Sequence, residues 1–238
     1  MEVLKIRGLT KTYSGGKRAV DNLDLTIEPG EIFGFIGHNG AGKTTTIRCA
    51  VGVLSFESGE IFVDGKSIKE NPVECKQVMA YIPDNPDLYE HMTGIGYLNF
   101  IADIYRVSTA QRTERIEKYA KILELWDSLG GQIAAYSHGM KQKLAIISAL
   151  MHEPKLLVLD EPFVGLDPKA AFTVKKIMRE MCDGGSAIFF STHVLEVAEK
   201  ICDKVAIIKD GRIAAYGATE MVIGDGSLED LFMELVET

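Results

Sequence analysis

Two clusters in this chain have residue types and spacing suited to chemistry on a phosphate chain. The first is Gly37-His38-Asn39-Gly40-Ala41-Gly42-Lys43-Thr44, which fits the pattern G-x-x-x-x-G-K-[ST]. Glycines at 37, 40 and 42 let the backbone approach an anion closely, so that its N–H groups converge on a phosphate. The dipole of a following helix adds to that attraction. Lys43 would set a positive charge on the β- and γ-phosphates, the Thr44 hydroxyl would ligate Mg²⁺, and Thr45 could donate to a phosphate. The second cluster is Asp160-Glu161, two carboxylates that end the apolar run Leu156-Leu157-Val158-Leu159. At a strand end beside a phosphate loop, Asp160 is placed to help hold Mg²⁺. Glu161 is placed to accept a hydrogen bond from an attacking water, as general base or orienting group.

These clusters need elements to position them. Ile32-Phe33-Gly34-Phe35-Ile36 reads as a strand buried on both faces, and Thr44 to Val53 as a helix, so the glycine loop sits in a strand–loop–helix frame. Leu156 to Leu159 and Ala187 to Phe190 read as two more buried strands. Upstream, Val3 to Tyr13 and Val20 to Ile27 alternate apolar and polar residues around Ser14-Gly15-Gly16, the pattern of an antiparallel pair. Gly59 to Val63 before Asp64-Gly65 reads as an edge strand, Pro72 to Gln77 as a short helix, and Val78 to Ile82 as a short strand. From about Thr93 to Leu129 the period becomes helical, with Ile116, Tyr119, Ala120, Leu123 and Trp126 on one face. A helix from about Gly139 to Met151 is expected to start at a Ser137 cap, and another after Asp167-Pro168. Val194 to Cys202 reads as a helix, Val205 to Tyr216 as a hairpin, and Leu228 to Leu235 as a last amphipathic helix. The expected fold is α/β: a P-loop NTPase core with a parallel sheet, an antiparallel β subdomain and an inserted α-helical subdomain. The chain is expected to be a single domain over 1–238, with core residues 1–83 and 136–238 and the helical insert at about 84–135.

Composition narrows the function classes. The 238 residues are 46 % hydrophobic and 25 % charged, as in a soluble globular protein large enough for a substantial core. The net charge of −8 argues against a broad nucleic-acid surface. Cys49, Cys75, Cys182 and Cys202 are dispersed and read as buried free thiols. The N-terminus does not read as a signal peptide. The apolar stretch Leu144 to Met151 has about eight residues, against the roughly 20 needed to span a bilayer. A membrane role therefore needs a separate membrane partner. His38, His91 and His152 are expected on the surface.

Taken in order, the motifs resemble the ATP-binding subunit of ABC transporters over nearly the whole chain. Tyr13 stands where that family stacks an aromatic on adenine. Tyr136-Ser137-His138-Gly139-Met140-Lys141-Gln142 resembles its signature, Gly165-Leu166-Asp167-Pro168 resembles the loop that crosses its dimer interface, and Ser191-Thr192-His193 resembles its switch histidine. The resemblance implies ATP and Mg²⁺ as ligands. Nucleotide contacts would come from Tyr13, Gly37, His38, Asn39, Gly40, Ala41, Gly42, Lys43, Thr44 and Thr45. Ser137, Gly139 and Asp167 would complete the site across a head-to-tail homodimer or heterodimer. Glu161, His193 and Lys43 would act in catalysis, and Thr44, Asp160 and Asp84 at the metal. The implied partner is an integral membrane permease, the implied place the cytoplasmic face of the cell membrane, with no nucleic acid bound.

Two stretches depart from the family pattern. His138 replaces the usual glycine of the signature, with Met140-Lys141 where the family tends to have glycine-glutamine or a close variant. Asp84 replaces the usual glutamine. The short tail and the Phe163-Val164-Gly165-Leu166-Asp167 phrasing resemble bacterial exporter subunits. The competing reading is a soluble ABC ATPase acting on nucleic acid or ribosomes, though the chain lacks both the long coiled coils and the second cassette of such proteins.

Overall fold

The computed structural model describes residues 2–237. In chain order, β1 (Leu4–Thr12) and β2 (Arg18–Ile27) pair antiparallel, and β3 (Ile32–Ile36) runs through the glycine loop into α1 (Lys43–Ala50). Next come β4 (Ser58–Val63), β5 (Lys66–Ser67), α2 (Pro72–Gln77) and β6 (Met79–Ile82). The helices α3 (Gly94–Ile104) and α4 (Thr109–Ile122) and two short 3-10 turns precede α5 (His138–Leu150). Then follow β7 (Leu156–Asp160), α6 (Pro168–Asp183), β8 (Ala187–Thr192) and α7 (Leu195–Ile201). The last elements are β9 (Lys204–Lys209), β10 (Arg212–Ala218), α8 (Thr219–Ile223) and α9 (Leu228–Glu237).

A six-stranded sheet in the order β10-β9-β3-β8-β7-β6 forms the middle layer, parallel except for the antiparallel β10. All five residues of β3 and of β7 are buried, and all six of β8. Strand periodicity sends alternate side chains to opposite faces. Ile32, Ile36, Leu157, Leu159, Ile188 and Phe190 join the core shared with the helices, whereas Phe33, Phe35, Val158 and Phe189 join the core shared with the antiparallel sheet and α1. That division explains why these strands are apolar up to their C-terminal ends, where Asp160, Ser191 and Thr192 stand. On the second face Phe189 meets Phe33 and Phe35 with ring centroids 5.9 and 5.6 Å apart. Burial on both faces keeps the sheet rigid, and every loop at its C-terminal edge inherits that rigidity.

The antiparallel sheet has the order β2-β1-β4-β5, so β4 is an inner strand bonded to both β1 and β5. Its expected edge position is corrected: the two-residue β5, too short to show a period, is the edge. In the helical block Thr93 caps α3 and Ser108 caps α4, the latter in a reciprocal box with Gln111. Ile116, Ala120 and Leu123 are buried as expected, but Trp126 is 42 % exposed. The helix has already ended at Ile122, and Glu124 takes a left-handed φ of 56°, so the helical period no longer carries Trp126 inward. His152 also differs from expectation. It is half-buried, stacks on Tyr105 with centroids 3.6 Å apart, and donates from Nε2 to the Met79 carbonyl at 3.2 Å. The residues 219–223 form the helix α8, which no pattern in the sequence had marked. No helix among the described residues is long and apolar enough to cross a membrane.

Candidate functional site

The glycine loop leaves the C-terminal end of β3 and wraps the first turn of α1. Gly42 caps that helix at φ 114°, and a Cβ there would come within 2.3 Å of the Ala19 carbonyl oxygen, so no other residue fits. The cap offers no side chain to the first-turn N–H groups, which stay open toward the cleft. Lys43 is 6 % exposed, and its ammonium donates to the carbonyls of Gly37 at 2.6 Å and His38 at 3.3 Å. It also lies 4.0 Å from Glu161 Oε1. Burial pulls its pKa below the ordinary lysine value, and the charges of Glu161 and Asp160 partly offset this.

Asp160 ends β7 in full burial. Its Oδ1 accepts from the Ser191 hydroxyl at 2.5 Å, while Oδ2 is buried with no hydrogen-bond partner. A buried carboxylate oxygen without a donor is costly unless a cation completes it. The donor set of hard oxygens, with the Thr44 hydroxyl in the same cleft, fits Mg²⁺.

Glu161 follows in a left-handed conformation, φ 51°, which is uncommon for a residue with a side chain. Its backbone N–H is held by both the carbonyl and the hydroxyl of Ser191, each at 3.2 Å. This turn aims the carboxylate at His193, whose Nδ1 lies 2.9 Å from Oε1. Ser191 is thus a support residue that the sequence reading passed over. Its signal is a hydroxyl breaking the apolar run of β8 beside the acidic strand end.

Tyr13, His38, Asn39, Gly40, Gly42, Lys43, Thr44, Thr45, Asp84, Asp160 and Glu161 line one cleft of about 290 Å³. Tyr13 reaches it through a 3.2 Å contact between its hydroxyl and that of Thr45. Ala41 is buried beneath the loop, and a Cβ on Gly37 would strike the Ile208 carbonyl oxygen at 2.7 Å, so these two shape the loop from below. Lys17 and Ala19 also line the cleft and were not singled out from the sequence. A larger cavity of about 600 Å³ opens at the other end of the sheet, lined in part by Val3, Pro29, Lys155 and Ser186. It holds none of the motif residues, and its Lys155 is already paired with Asp64 at 2.7 Å.

Ser137, Gly139 and Asp167 do not line the cleft. Ser137 Oγ accepts from Met140 N at 3.3 Å at the start of α5, and Asp167 Oδ1 accepts from Ala170 N at 2.9 Å at the start of α6. The two starts touch: a Cβ on Gly139 would lie 2.7 Å from the Gly165 carbonyl oxygen, and a Cβ on Gly165 would lie 2.2 Å from the His138 ring. The four cysteines are free and buried, and burial pushes the thiols of Cys49 and Cys182 up to about 11 and about 12. They are inert at neutral pH.

Comparison with known proteins agrees with this geometry. The sequence profile of the ABC transporter family matches residues 20–164, more than half of the 238. The chain is 36 % identical to the ABC-type transporter ATP-binding protein EcsA of Bacillus subtilis, covering 100 % of this chain and 98 % of that one. It is 33 % identical to the Nod factor export ATP-binding protein I of Cupriavidus metallidurans, over 93 % of this chain and 73 % of that protein. Among solved structures, an ATP-binding subunit of an ABC transporter superposes with a TM-score of 0.94 at 33 % identity, covering 98 % of this chain and 99 % of that one. CbiO1 of Clostridium perfringens, part of the ABC transporter complex cbiONQ, superposes with a TM-score of 0.80 at 27 % identity, over 94 % of this chain and 91 % of that one. A buried parallel sheet bearing a phosphate loop, with lysine, aspartate and glutamate converging on one cleft, stands in a chain whose relatives are transporter ATPases, and the chain belongs to the ABC transporter family as an ATP-binding and ATP-hydrolysing subunit.

Proposed function

We propose that the chain binds Mg·ATP in the cleft at Lys43, hydrolyses it there, and uses the cycle to drive a separate membrane permease from the cytoplasmic face of the cell membrane. The observation that carries this reading is the convergence of Lys43, Glu161 and His193 beside the bare Oδ2 of Asp160. The open first turn of α1 and the Lys43 ammonium would bind the phosphates, with Tyr13 against the base. Thr44 and Asp160, with Asp84 at the rim, would hold Mg²⁺, which supplies charge neutralisation of the β- and γ-phosphate oxygens. Glu161 would orient the attacking water and take its proton, and His193 would donate to the γ-phosphate.

Ser137, Gly139 and Asp167 stand outside the lining of their own cleft. They fit a head-to-tail dimer, in which the N-terminus of α5 would face the γ-phosphate held by a second subunit. Binding would close the dimer and hydrolysis would open it, a population shift driven by different affinities of the two states. The block at about 84–135 would dock the permease, and the rest of the chain, 1–83 and 136–238, would act as the catalytic body. Export is the direction favoured by the 33 % identity to the Nod factor export protein.

The test is purification of the tagged chain from detergent-solubilised host membranes, followed by identification of what accompanies it. An integral membrane protein at stoichiometric yield is expected and would name the permease. Co-purification with ribosomes or nucleic acid instead would overturn the transport reading in favour of a soluble ATPase.

A further inference from the structure

The cleft carries an excess of acid. Asp84, Asp160 and Glu161 line it, opposed by Lys43 and Lys17. Lys43 is bound to the loop carbonyls deep in the cleft, at the end where Glu161 sits. Lys17 is different in kind. It is exposed, and it makes no side-chain hydrogen bond or ion pair among the described residues. Its cationic neighbours on the same hairpin are both engaged: Lys11 with Glu57 at 3.1 Å and Arg18 with Asp21 at 2.8 Å.

The turn fixes the backbone that carries Lys17. Tyr13 N donates to the Lys17 carbonyl at 2.9 Å, and Gly16 N donates to the Tyr13 carbonyl at 3.1 Å. Tyr13 and Lys17 therefore face each other across a closed turn, and both line the cleft. Tyr13 is tied in turn to Thr45, at the α1 side of the loop. Lys17 thus belongs to the side of the cleft that carries Tyr13, the residue placed against the base, whereas Lys43 lies beside Glu161.

We infer that Lys17 is a nucleotide-binding residue, pairing its ammonium with the phosphate nearest the ribose. This rests on the cleft being the nucleotide site. It assigns Lys17 a role that Lys43 cannot fill, because Lys43 is held at the far end. A mobile lysine pairs with phosphate as a point charge, so its contribution falls as salt rises.

The test compares wild type with Lys17→Gln and Lys17→Arg by calorimetric titration with adenosine, AMP, ADP and ATP at low and high salt. Lys43→Ala serves as the control on the site itself. Lys17→Gln is expected to weaken AMP, ADP and ATP by a common factor of about tenfold at low salt, with adenosine unchanged. Lys17→Arg is expected to restore binding, and the Lys17→Gln defect is expected to shrink at high salt. Unchanged phosphate affinities would overturn the inference, as would a loss confined to ATP, which would place Lys17 at the γ-phosphate. An equal loss for adenosine would also overturn it, by showing that the substitution only disturbs the Tyr13 turn. Failure of the wild type to bind ATP, or no effect of Lys43→Ala, would instead sink the site reading beneath it.

Discussion

His193 Nδ1 sits 2.9 Å from Glu161 Oε1, and the same carboxylate oxygen sits 4.0 Å from the Lys43 ammonium. One oxygen thus joins the end of β7, the end of β8 and the start of α1. The left-handed φ of 51° at Glu161 is what turns the carboxylate toward both partners. Removing the charge without changing the shape isolates its chemistry. Glu161→Gln is expected to keep ATP binding and to lower turnover by about 10²–10⁴-fold, with an ATP-bound dimer accumulating on size-exclusion chromatography. Turnover equal to wild type would remove Glu161 from the role of general base.

His193 should share that fate for a different reason. His193→Ala leaves the carboxylate in place but removes the group that orients it and would donate to the γ-phosphate. Steady-state assays are expected to show a fall in kcat of about 100-fold with ATP affinity within a fewfold of wild type. A change in affinity alone would make His193 a binding residue.

Asp84 puts a third carboxylate at the rim of the cleft. Asp84→Gln removes one negative charge without leaving a void, since the residue is exposed. Unit charges interact by roughly 1 kcal/mol at about 4 Å in high dielectric, which is about fivefold in affinity. Metal-free ATP should therefore bind about fivefold more tightly and Mg²⁺ about fivefold more weakly in titrations of the variant. If both are unchanged, along with turnover and permease stimulation, Asp84 has no special part.

The His138 ring occupies the space over Gly165, where φ is 80°. The absence of a Cβ at Gly165 leaves the room that the His138 ring fills. Gly165→Ala is expected to cost about 1–3 kcal/mol in denaturant unfolding, from the clash and the positive φ together. His138→Ala added to it should recover the steric part only. A double variant no better than the single would show that the two residues do not touch.

His152 gives a pH dependence whose sign follows from its surroundings. Its Nε2 donates to Met79, so the neutral ring leaves Nδ1 bare, and that atom is buried with no partner. Burial pushes the imidazole down to about 4, from an ordinary value of 6.5. Between these values the unfolded chain binds a proton that the folded chain refuses, so stability is complete above about pH 6.5 and falls as pH drops toward 4. Urea unfolding at pH 7.5 and pH 5 should show a smaller difference in His152→Phe, which keeps a ring against Tyr105 but takes up no proton. An equal difference would place the pH sensitivity elsewhere.

Much of this molecule was legible in its residue order because its signals are local. The glycine loop, the three apolar runs, the Ser137 and Asp167 caps and the Pro72 helix start act through backbone geometry within a few residues, and each element starts within a residue or two of its expected place, although α1 ends at Ala50, three residues before the expected Val53. The misses share a cause as well. Trp126 lies outward because a single left-handed residue ended the helix before it. His152 lies half-buried because Tyr105, 47 positions earlier, covers it. Ser191 was read only as part of the run up to His193, and Lys17 carried no pattern of its own, since each matters through residues brought to it from elsewhere in the chain.

The sequence by itself determined which groups could do chemistry and which strands must be buried, because side-chain type, spacing and apolar runs act over short range. Tertiary structure alone decided that Asp160 Oδ2 is left bare, that Glu161 meets both Lys43 and His193, and that His138 rests on Gly165. Those relationships join chain segments 27 to 118 residues apart, and the parallel register of β3, β8 and β7 brings the C-terminal ends that carry Asp160, Glu161 and His193 to one edge of the sheet.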